Sequence, residues 1–563
     1  MSWLAQHLIA LMLLSLLPLI ASGVPVVFAL IACGLLFGAL GVVLGVLPLH
    51  LIAALPIRLE FIIANESLLA IPYFTLMGML LQRSGLAEDL LATAGEVFGP
   101  LRGGLAFSVV LIGALLAATT GVVAASVISM ALISLPAMQR CGYDPRIACG
   151  TIAASGTLTQ IVPPSLVLIV IAEQMQMSLG DLYAGVLIPA ALLIALYLLW
   201  ILAVAIVRPS WVPAVPAVLR KNSAGGGHAS LFALLVLSAA AGWCLKQAYP
   251  TLLASSQRFT RPGADESVIV SIGVTLASAL VLALAERVLG LNWLSPLARR
   301  VAFVLVPPLL LIFAVLGSVY LGAATPTESG ALGAVAALAL AAARRRLDVA
   351  AFRQALLDTV KLSCVVMILL FGASVFSLSF QALDGTAWVR DLLADLPGGK
   401  TGFLAAVMLV VFVLGMFLDF FELAVILLPI VGPIASQLGI HEVWFAVLMG
   451  INLQTAYLTP PFGFALFYLR GVAPRTDRLD ALTGHVQPGI STGQIYWGAA
   501  PFIAIQVLVM AWVIAQPGLA LGLLEQPRTL DDATVERLID GMGRGYQGSD
   551  TSLPTIPEFE PRR

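Results

Sequence analysis

The chain has 563 residues, 60% of them hydrophobic and 10% charged, with a mean hydropathy of +1.02 and a net charge of −1. A soluble domain carries about 25% charge, so these figures exclude a soluble protein and point to a polytopic membrane protein. The near-neutral balance makes no case for nucleic acid, and the five scattered cysteines (Cys33, Cys141, Cys149, Cys244, Cys364), without metal spacing, read as packing residues.

With roughly 20 apolar residues per crossing, the first spans fall at 4–22 and 25–48. The first lacks a basic leading region and reads as a retained span, not a cleaved signal peptide. Gly34, Gly38, Gly41 and Gly45 give a small-xxx-small spacing suited to close helix packing, with dimerisation as the alternative. Residues 51–82 hold two short apolar pieces around Asn65-Glu66 and predict a re-entrant hairpin, and 83–102 an amphipathic interfacial connector. The apolar run 104–136 is interrupted at Ala118-Thr119-Thr120-Gly121, and a turn at 140–146 precedes a proline-broken segment and a span at 183–207.

Residues 209–228 have the composition of a flexible linker and lead to two peripheral spans, 229–247 and 267–286, joined by a polar loop with Arg258, Arg261, Asp265 and Glu266. The second half opens with spans at 301–321 and 330–343, closed by Arg344-Arg345-Arg346, which places that loop in the cytoplasm. A span at 360–383, an amphipathic connector to Lys400, the run 402–435 broken at 415–422, a second proline-broken segment at 443–470, a span at 495–515 and a polar tail at 526–563 complete the chain.

Two stretches organise the rest: 150–165 (GTIAASGTLTQIVPPS) and 450–463 (GINLQTAYLTPPFG). Proline lacks an N–H and clashes with the preceding turn, so Pro163-Pro164 and Pro460-Pro461 each break a helix and free carbonyls that hydrocarbon cannot solvate. Such breaks belong where they line a wet cavity, and paired breaks in corresponding halves mark a transporter's binding site; a packing kink is the alternative. The halves share the order of broken run, proline, short turn and Pro-Pro segment, while their relative direction stays open.

A desolvated Na⁺ needs several hard oxygen ligands, and carbonyls freed by unwinding can supply them. Thr119, Thr120, Ser155, Thr157 and Thr159, around Gly156, add hydroxyls in one half, and Thr455 and Thr459 in the other. Singly, each hydroxyl is better explained by a bond back to the preceding turn. Their clustering beside Pro-Pro argues for cations. Glu328, after Thr325-Pro326-Thr327, has capping-box spacing, with an intramembrane site as the other reading. Asp419 and Glu422, three apart in a break, fit a cation or proton site and an interfacial position equally, and Glu66 and Glu173 read as hairpin ends.

Enzyme signals fail one by one. Gly398-Gly399-Lys400-Thr401 lacks the first glycine of a phosphate loop, which is Ala394 here; His441-Glu442 lacks a second His; Ser155-Gly156 has no nearby His. Neither an enzyme nor a cofactor is expected.

Six stretches in order, GVPVVFAL (23–30), IPYFTLMGMLLQRSGLAEDL (71–90), RGGLAFSVVLIGALLAATTGVVAAS (102–126), GTLTQIVPPS (156–165), GAATPTESGAL (322–332) and TPPFGFAL (459–466), resemble the large membrane subunit of the tripartite ATP-independent periplasmic (TRAP) transporters. The resemblance implies an all-α polytopic membrane protein with the ion-transporter-superfamily elevator fold, two repeats of re-entrant hairpins and broken helices. It further implies a bacterial inner-membrane importer of organic acids, coupled to Na⁺, fed by a periplasmic binding protein and paired with a small four-helix subunit. One family sodium site would fall at Thr119, Thr120, Thr159, Val162 and Pro164, largely through carbonyls, and the other at Gly415, Ala456, Thr459 and Phe462. Where this chain has Thr159 the family commonly has Gly, and where it has Ala456 often a hydroxyl residue. Residues 209–300 form an insertion that resembles the longer branch labelled for mannitol or chloroaromatic compounds.

The expected organisation is scaffold helices at 1–50, a first transport repeat at 51–182, a scaffold helix at 183–208, linker and inserted helices at 209–300, scaffold and a hairpin at 301–400 with Thr325, Pro326, Thr327 and Glu328 in that hairpin, a second repeat at 401–475, a C-terminal helix at 476–525 and the tail. Two other function classes stay open: a stand-alone ion-coupled carrier without binding protein, and a non-transporting assembly factor or enzyme.

Overall fold

The computed structural model describes residues 7–48, 50, 53–216, 227–254, 264–290, 293–344, 346–394, 397–479 and 486–524. The expected tail at 526–563, Arg258, Arg261 and Arg345 lie outside the described residues. A chain in hydrocarbon must satisfy its own backbone groups, and the described chain does so with helices almost throughout; ten of the described helices are long and apolar enough to cross a membrane. The molecule is an all-α polytopic membrane protein.

In chain order come α1 (Leu8–Ala21), α2 (Val26–Val43), α3 (Leu55–Ala64), α4 (Ala70–Arg83), α5 (Leu86–Phe98), α6 (Gly104–Thr120), α7 (Val123–Arg140), α8 (Pro145–Thr157), α9 (Leu166–Gln174), α10 (Leu179–Val207), α11 (Gly227–Ala254) and α12 (Ala264–Leu289). The rest are α13 (Pro296–Val304), α14 (Val306–Tyr320), α15 (Pro326–Ala343), α16 (Val349–Ala382), α17 (Gly385–Ala394), α18 (Lys400–Leu414), α19 (Phe420–Gln437), α20 (Glu442–Leu458), α21 (Phe464–Val472), α22 (Thr492–Ala515) and α23 (Gly518–Leu521). Local chemistry fixes where several begin. Ser295 accepts the Ala298 amide at 3.1 Å and Asp348 the Ala351 amide at 2.6 Å. Pro145, Pro296 and Pro326 stand in the first turn, where a missing N–H costs nothing.

One group of helices gathers round α4, which packs on α15 and α16, while α16 packs on α2. Gly34 allows that last contact: a Cβ there would lie 2.8 Å from Val375 O, and Ser379 Oγ donates to Gly34 O at 2.7 Å. The inserted helices α11 and α12 pack on each other and along α13 and α14 through Leu231, Leu234, Ala283 and Ala298. A second group joins α6 to α10 with α18 to α22.

Four expectations are corrected. Residues 51–82 do not double back: α3 and the helical stretch from Glu66 to Arg83 meet at a bend of 51°, with the Asn65 side chain accepting the Ser67 amide at the corner. Thr325, Pro326, Thr327 and Glu328 form no re-entrant hairpin; they open α15, one of two consecutive spans, and a capping box satisfies its first amides. Residues 183–208, expected as a scaffold helix, pack mostly on the second group, where the small residues of α10 fit. This helix packs on α6, α9, α20 and α22 and touches α14 as well, and a Cβ on Gly185 would stand 2.5 Å from Val443 Cγ1. The span expected at 360–383 begins earlier, at Val349 behind the Asp348 cap.

The direction of the two halves follows from their ends. The Gln139 amide reaches Pro488 O at 3.4 Å, and Arg470 reaches Ile490 O at 2.5 Å, so α7 and α21 end at the same face. At the other face, Met175 and Gln176, just past α9, line one cavity with Ser436 of α19 and Glu442 of α20. The first broken helix therefore leaves where the second enters, and the two units are inverted. Their packing is reciprocal: α9 lies on α19, and α21 on α7.

The first face is the basic one. Backbone bonds from Gly103 to Val212 O and from Asp144 to Trp211 O (both 2.9 Å) gather the loops bearing Arg102, Arg140 and Arg208. Asp89 of α5 pairs with Arg344 and Arg346, Glu96 with Arg300, and Arg83 with Asp358. By the positive-inside rule this face is cytoplasmic.

Candidate functional site

The first break lies between α8 and α9. A single 3₁₀ turn, Leu158–Gln160, follows α8; the Ile161 and Val162 amides both return to Leu158 O (3.1 and 2.9 Å), and the Pro163–Pro164 bond is cis. The carbonyls of Val162 and Pro164 accept no hydrogen bond among the described residues. Thr159 is wholly buried, and its Oγ1 donates to Gly156 O at 2.7 Å and lies 3.1 Å from Ser126 Oγ of α7. Ser155 and Thr157 donate back to Thr151 O (2.6 Å) and Ala154 O (2.9 Å). Gly156 is a packing residue, since a Cβ there would stand 2.3 Å from Val127 Cγ2.

The second break lies between α20 and α21, again with a cis Pro460–Pro461 bond. Thr455 and Thr459 donate to Ile451 O (2.8 Å) and Thr455 O (2.7 Å). The chain then turns at Gly463, φ +27°, where a Cβ would meet Thr459 O at 2.7 Å. Among the described residues the carbonyls of Gly415, Thr459 and Phe462 accept no hydrogen bond. They come from two elements held close: a Cβ on Gly415 would stand 2.8 Å from that of Ala456, and the Phe417 and Phe462 rings pack at 5.0 Å.

Asp419 and Glu422 form a capping box at the start of α19: the Asp419 carboxylate accepts the Phe421 amide at 2.9 Å, and Glu422 accepts the Asp419 amide at 3.1 Å. Tyr457 of the broken helix donates to Asp419 Oδ2 at 2.6 Å. Glu328 caps α15 through Thr325, and Thr327 donates to Glu66 O at 2.7 Å. Chemically, the hydroxyls of Ser155, Thr157, Thr159, Thr455 and Thr459 each spend a proton on a main-chain carbonyl and keep their lone pairs for an acceptor role, next to free main-chain carbonyls. That oxygen-only environment suits a hard cation.

The profile of the tripartite ATP-independent periplasmic transporter DctM component matches residues 13–519. This chain belongs to the DctM family. A DctM-type chain is the large permease of a secondary transporter, not an enzyme, and works in the bacterial inner membrane with a small membrane subunit and a periplasmic binding protein. It is similar to the uncharacterized protein YgiK of Salmonella typhimurium, 28% identical over 80% of this chain and 85% of that one. It is also similar to the C4-dicarboxylate TRAP transporter large permease protein DctM of Pseudomonas aeruginosa, at 26% over 84% and 89%. A crystal structure of the Alcanivorax borkumensis YdaH transporter aligns at a TM-score of 0.46 and 16% identity, covering 84% of this chain and 89% of that one.

In the DctM-type chain the structure brings Thr159, Val162 and Pro164 to one break, and Gly415, Ala456, Thr459 and Phe462 to the other. Thr120 ends α6, and Gly121 caps it at φ +63°; the side chains of Thr119 and Thr120 fall outside the described part. Pro326 and Glu328 lie in neither break. Three participants escape a reading by motif. Tyr457 and Ser126 reach the site across 38 and 33 residues. Gln160 is wholly buried, and among the described residues neither of its amide atoms is hydrogen-bonded, which native proteins tolerate where water or a ligand completes the set. The polar Gln inside an apolar run was the one available signal.

Proposed function

We propose that this chain is the sodium-coupled importing subunit for organic acid-type solutes, which a periplasmic binding protein delivers and which cross by an elevator movement. The inverted pair, α6 to α9 with α18 to α21, would move as the transport unit past α4 and α16. The small partner is taken as the family's four-helix subunit. What supports the reading is the pairing of unbonded carbonyls with proton-spent hydroxyls at both breaks, on inverted units, which supplies hard oxygen ligands for Na⁺. The carboxylate class draws on the C4-dicarboxylate named for the Pseudomonas aeruginosa relative. The test is uptake in proteoliposomes holding this chain with its small subunit, supplied with the loaded binding protein. Uptake should follow an inward Na⁺ gradient and respond to membrane potential; uptake indifferent to both would overturn the coupling.

A further inference from the structure

A cavity of about 480 Å³ opens on the face opposite the basic one, between α3 and α16 on one side and the ends of α9 and α19 on the other. Arg58, half-buried, is the one Lys or Arg among its lining residues. Elsewhere Arg83, Arg299, Arg300, Arg344, Arg346 and Arg390 each pair with a carboxylate. Among the described residues Arg58 has no carboxylate partner; its Nη2 donates to the neutral Gln381 Oε1 at 3.3 Å. A guanidinium carries five donors and a permanent charge, and half-burying it without a counter-charge is costly unless an anion visits.

The remaining chemistry of the cavity is divided between its walls. Ser374, Ser377 and Gln381 recur at i, i+3 and i+7, so one face of α16 presents two hydroxyls and an amide beside Arg58. The two carboxylates, Glu173 and Glu442, belong to the opposite wall. Glu173 accepts the Asn65 amide, and Glu442 lies 3.5 Å from Ser436 Oγ. Glu173 is thus held by a donor at the end of α3, and the α16 face leaves its hydroxyls and amide next to the Arg58 guanidinium.

We propose that this cavity is an outer binding site for a small organic anion, held by Arg58 with the Ser374, Ser377 and Gln381 side chains, on the periplasmic approach to the broken helices. It rests on the reading of the protein as an importer of organic anions, but its charge selectivity is measurable without transport. Arg58 is the residue that selects for a carboxylate or sulfonate at this point.

The experiment places a cysteine at Ser377→Cys in the full chain, with the exposed Cys244 and Cys364 changed to serine, and compares its reaction rates with an anionic sulfonate and a cationic trimethylammonium methanethiosulfonate. The anionic-to-cationic rate ratio should fall about tenfold in Arg58→Gln, the size of one charge-assisted bond, and largely recover in Arg58→Lys. Arg390→Gln, which removes a surface charge outside the cavity, should leave the ratio unchanged. A ratio indifferent to Arg58→Gln, or equally lowered by Arg390→Gln, overturns the site. Sodium-independent uptake with the ratio effect intact would sink the coupling mechanism and leave the site standing.

Discussion

The Tyr457 hydroxyl donates to Asp419 Oδ2 at 2.6 Å and receives the Phe420 amide at 3.1 Å, so one side chain of the broken helix α20 completes the cap of the helix that returns from the neighbouring break. Two interrupted elements, each short of its own backbone partners, are satisfied by each other. The site's geometry depends on that exchange.

Tyr457→Phe keeps the ring contacts with Phe420 and Phe464 and removes the hydroxyl, leaving a buried carboxylate one bond short. A loss of about 1–3 kcal/mol is expected, read as a lower unfolding midpoint of the purified chain. Because both residues serve one interaction, Asp419→Asn combined with Tyr457→Phe should cost less than the sum of the two.

If Thr159 and Thr459 present lone pairs to Na⁺, the conservative and the isosteric substitutions part company. Thr159→Ser and Thr459→Ser should keep the sodium dependence of uptake, whereas Thr→Val at either position should raise half-saturating Na⁺ by about tenfold. A purely structural hydroxyl would instead lower the unfolding midpoint and leave the sodium curve in place.

Gly150 lies against Gly498, with a Cβ at Gly150 only 2.0 Å from Gly498 O, so α8 and α22 touch backbone to backbone. Gly150→Ala must push the helices apart and should destabilise by about 3 kcal/mol or more. Gly471, in the last turn of α21 with nothing within 4 Å, is the control; Gly471→Ala should be neutral or stabilise by up to about 1 kcal/mol. Thermal unfolding in detergent distinguishes the two.

Asn65, at the bend before α4, donates to Glu173 at the end of α9, across the boundary along which an elevator would slide. A cross-link between Asn65→Cys and Glu173→Cys should stop uptake, and reduction should restore it. Uptake that persists in the cross-linked protein would mean that α9 does not move relative to α4.

What could be read in advance follows from short-range chemistry. Pro163-Pro164 and Pro460-Pro461 break their helices whatever surrounds them, because the missing N–H is a property of the residue. Thr325 to Glu328 carries its cap in its own spacing. A local sign misleads where it fits two shapes. Asn65-Glu66 looks like a hairpin tip, yet the chain turns by 51°, since the apolar stretch beyond it finds α15 and α16 as partners and has no need to return. The place of α10 was likewise invisible, as a uniformly apolar helix carries no mark of which neighbours it will choose.

The amino-acid order by itself determined that this is a helical membrane protein with two interrupted segments, because hydropathy and proline act within a turn or two of their own position. Only the folded arrangement decided that the two units run in opposite directions, that Tyr457 and Ser126 complete the breaks, and that Arg58 lines a cavity with no ion-pair partner among the described residues. Those are contacts between residues tens to hundreds of positions apart, and apolar packing, which sets them, is non-directional: it leaves no imprint at either end until the helices have met.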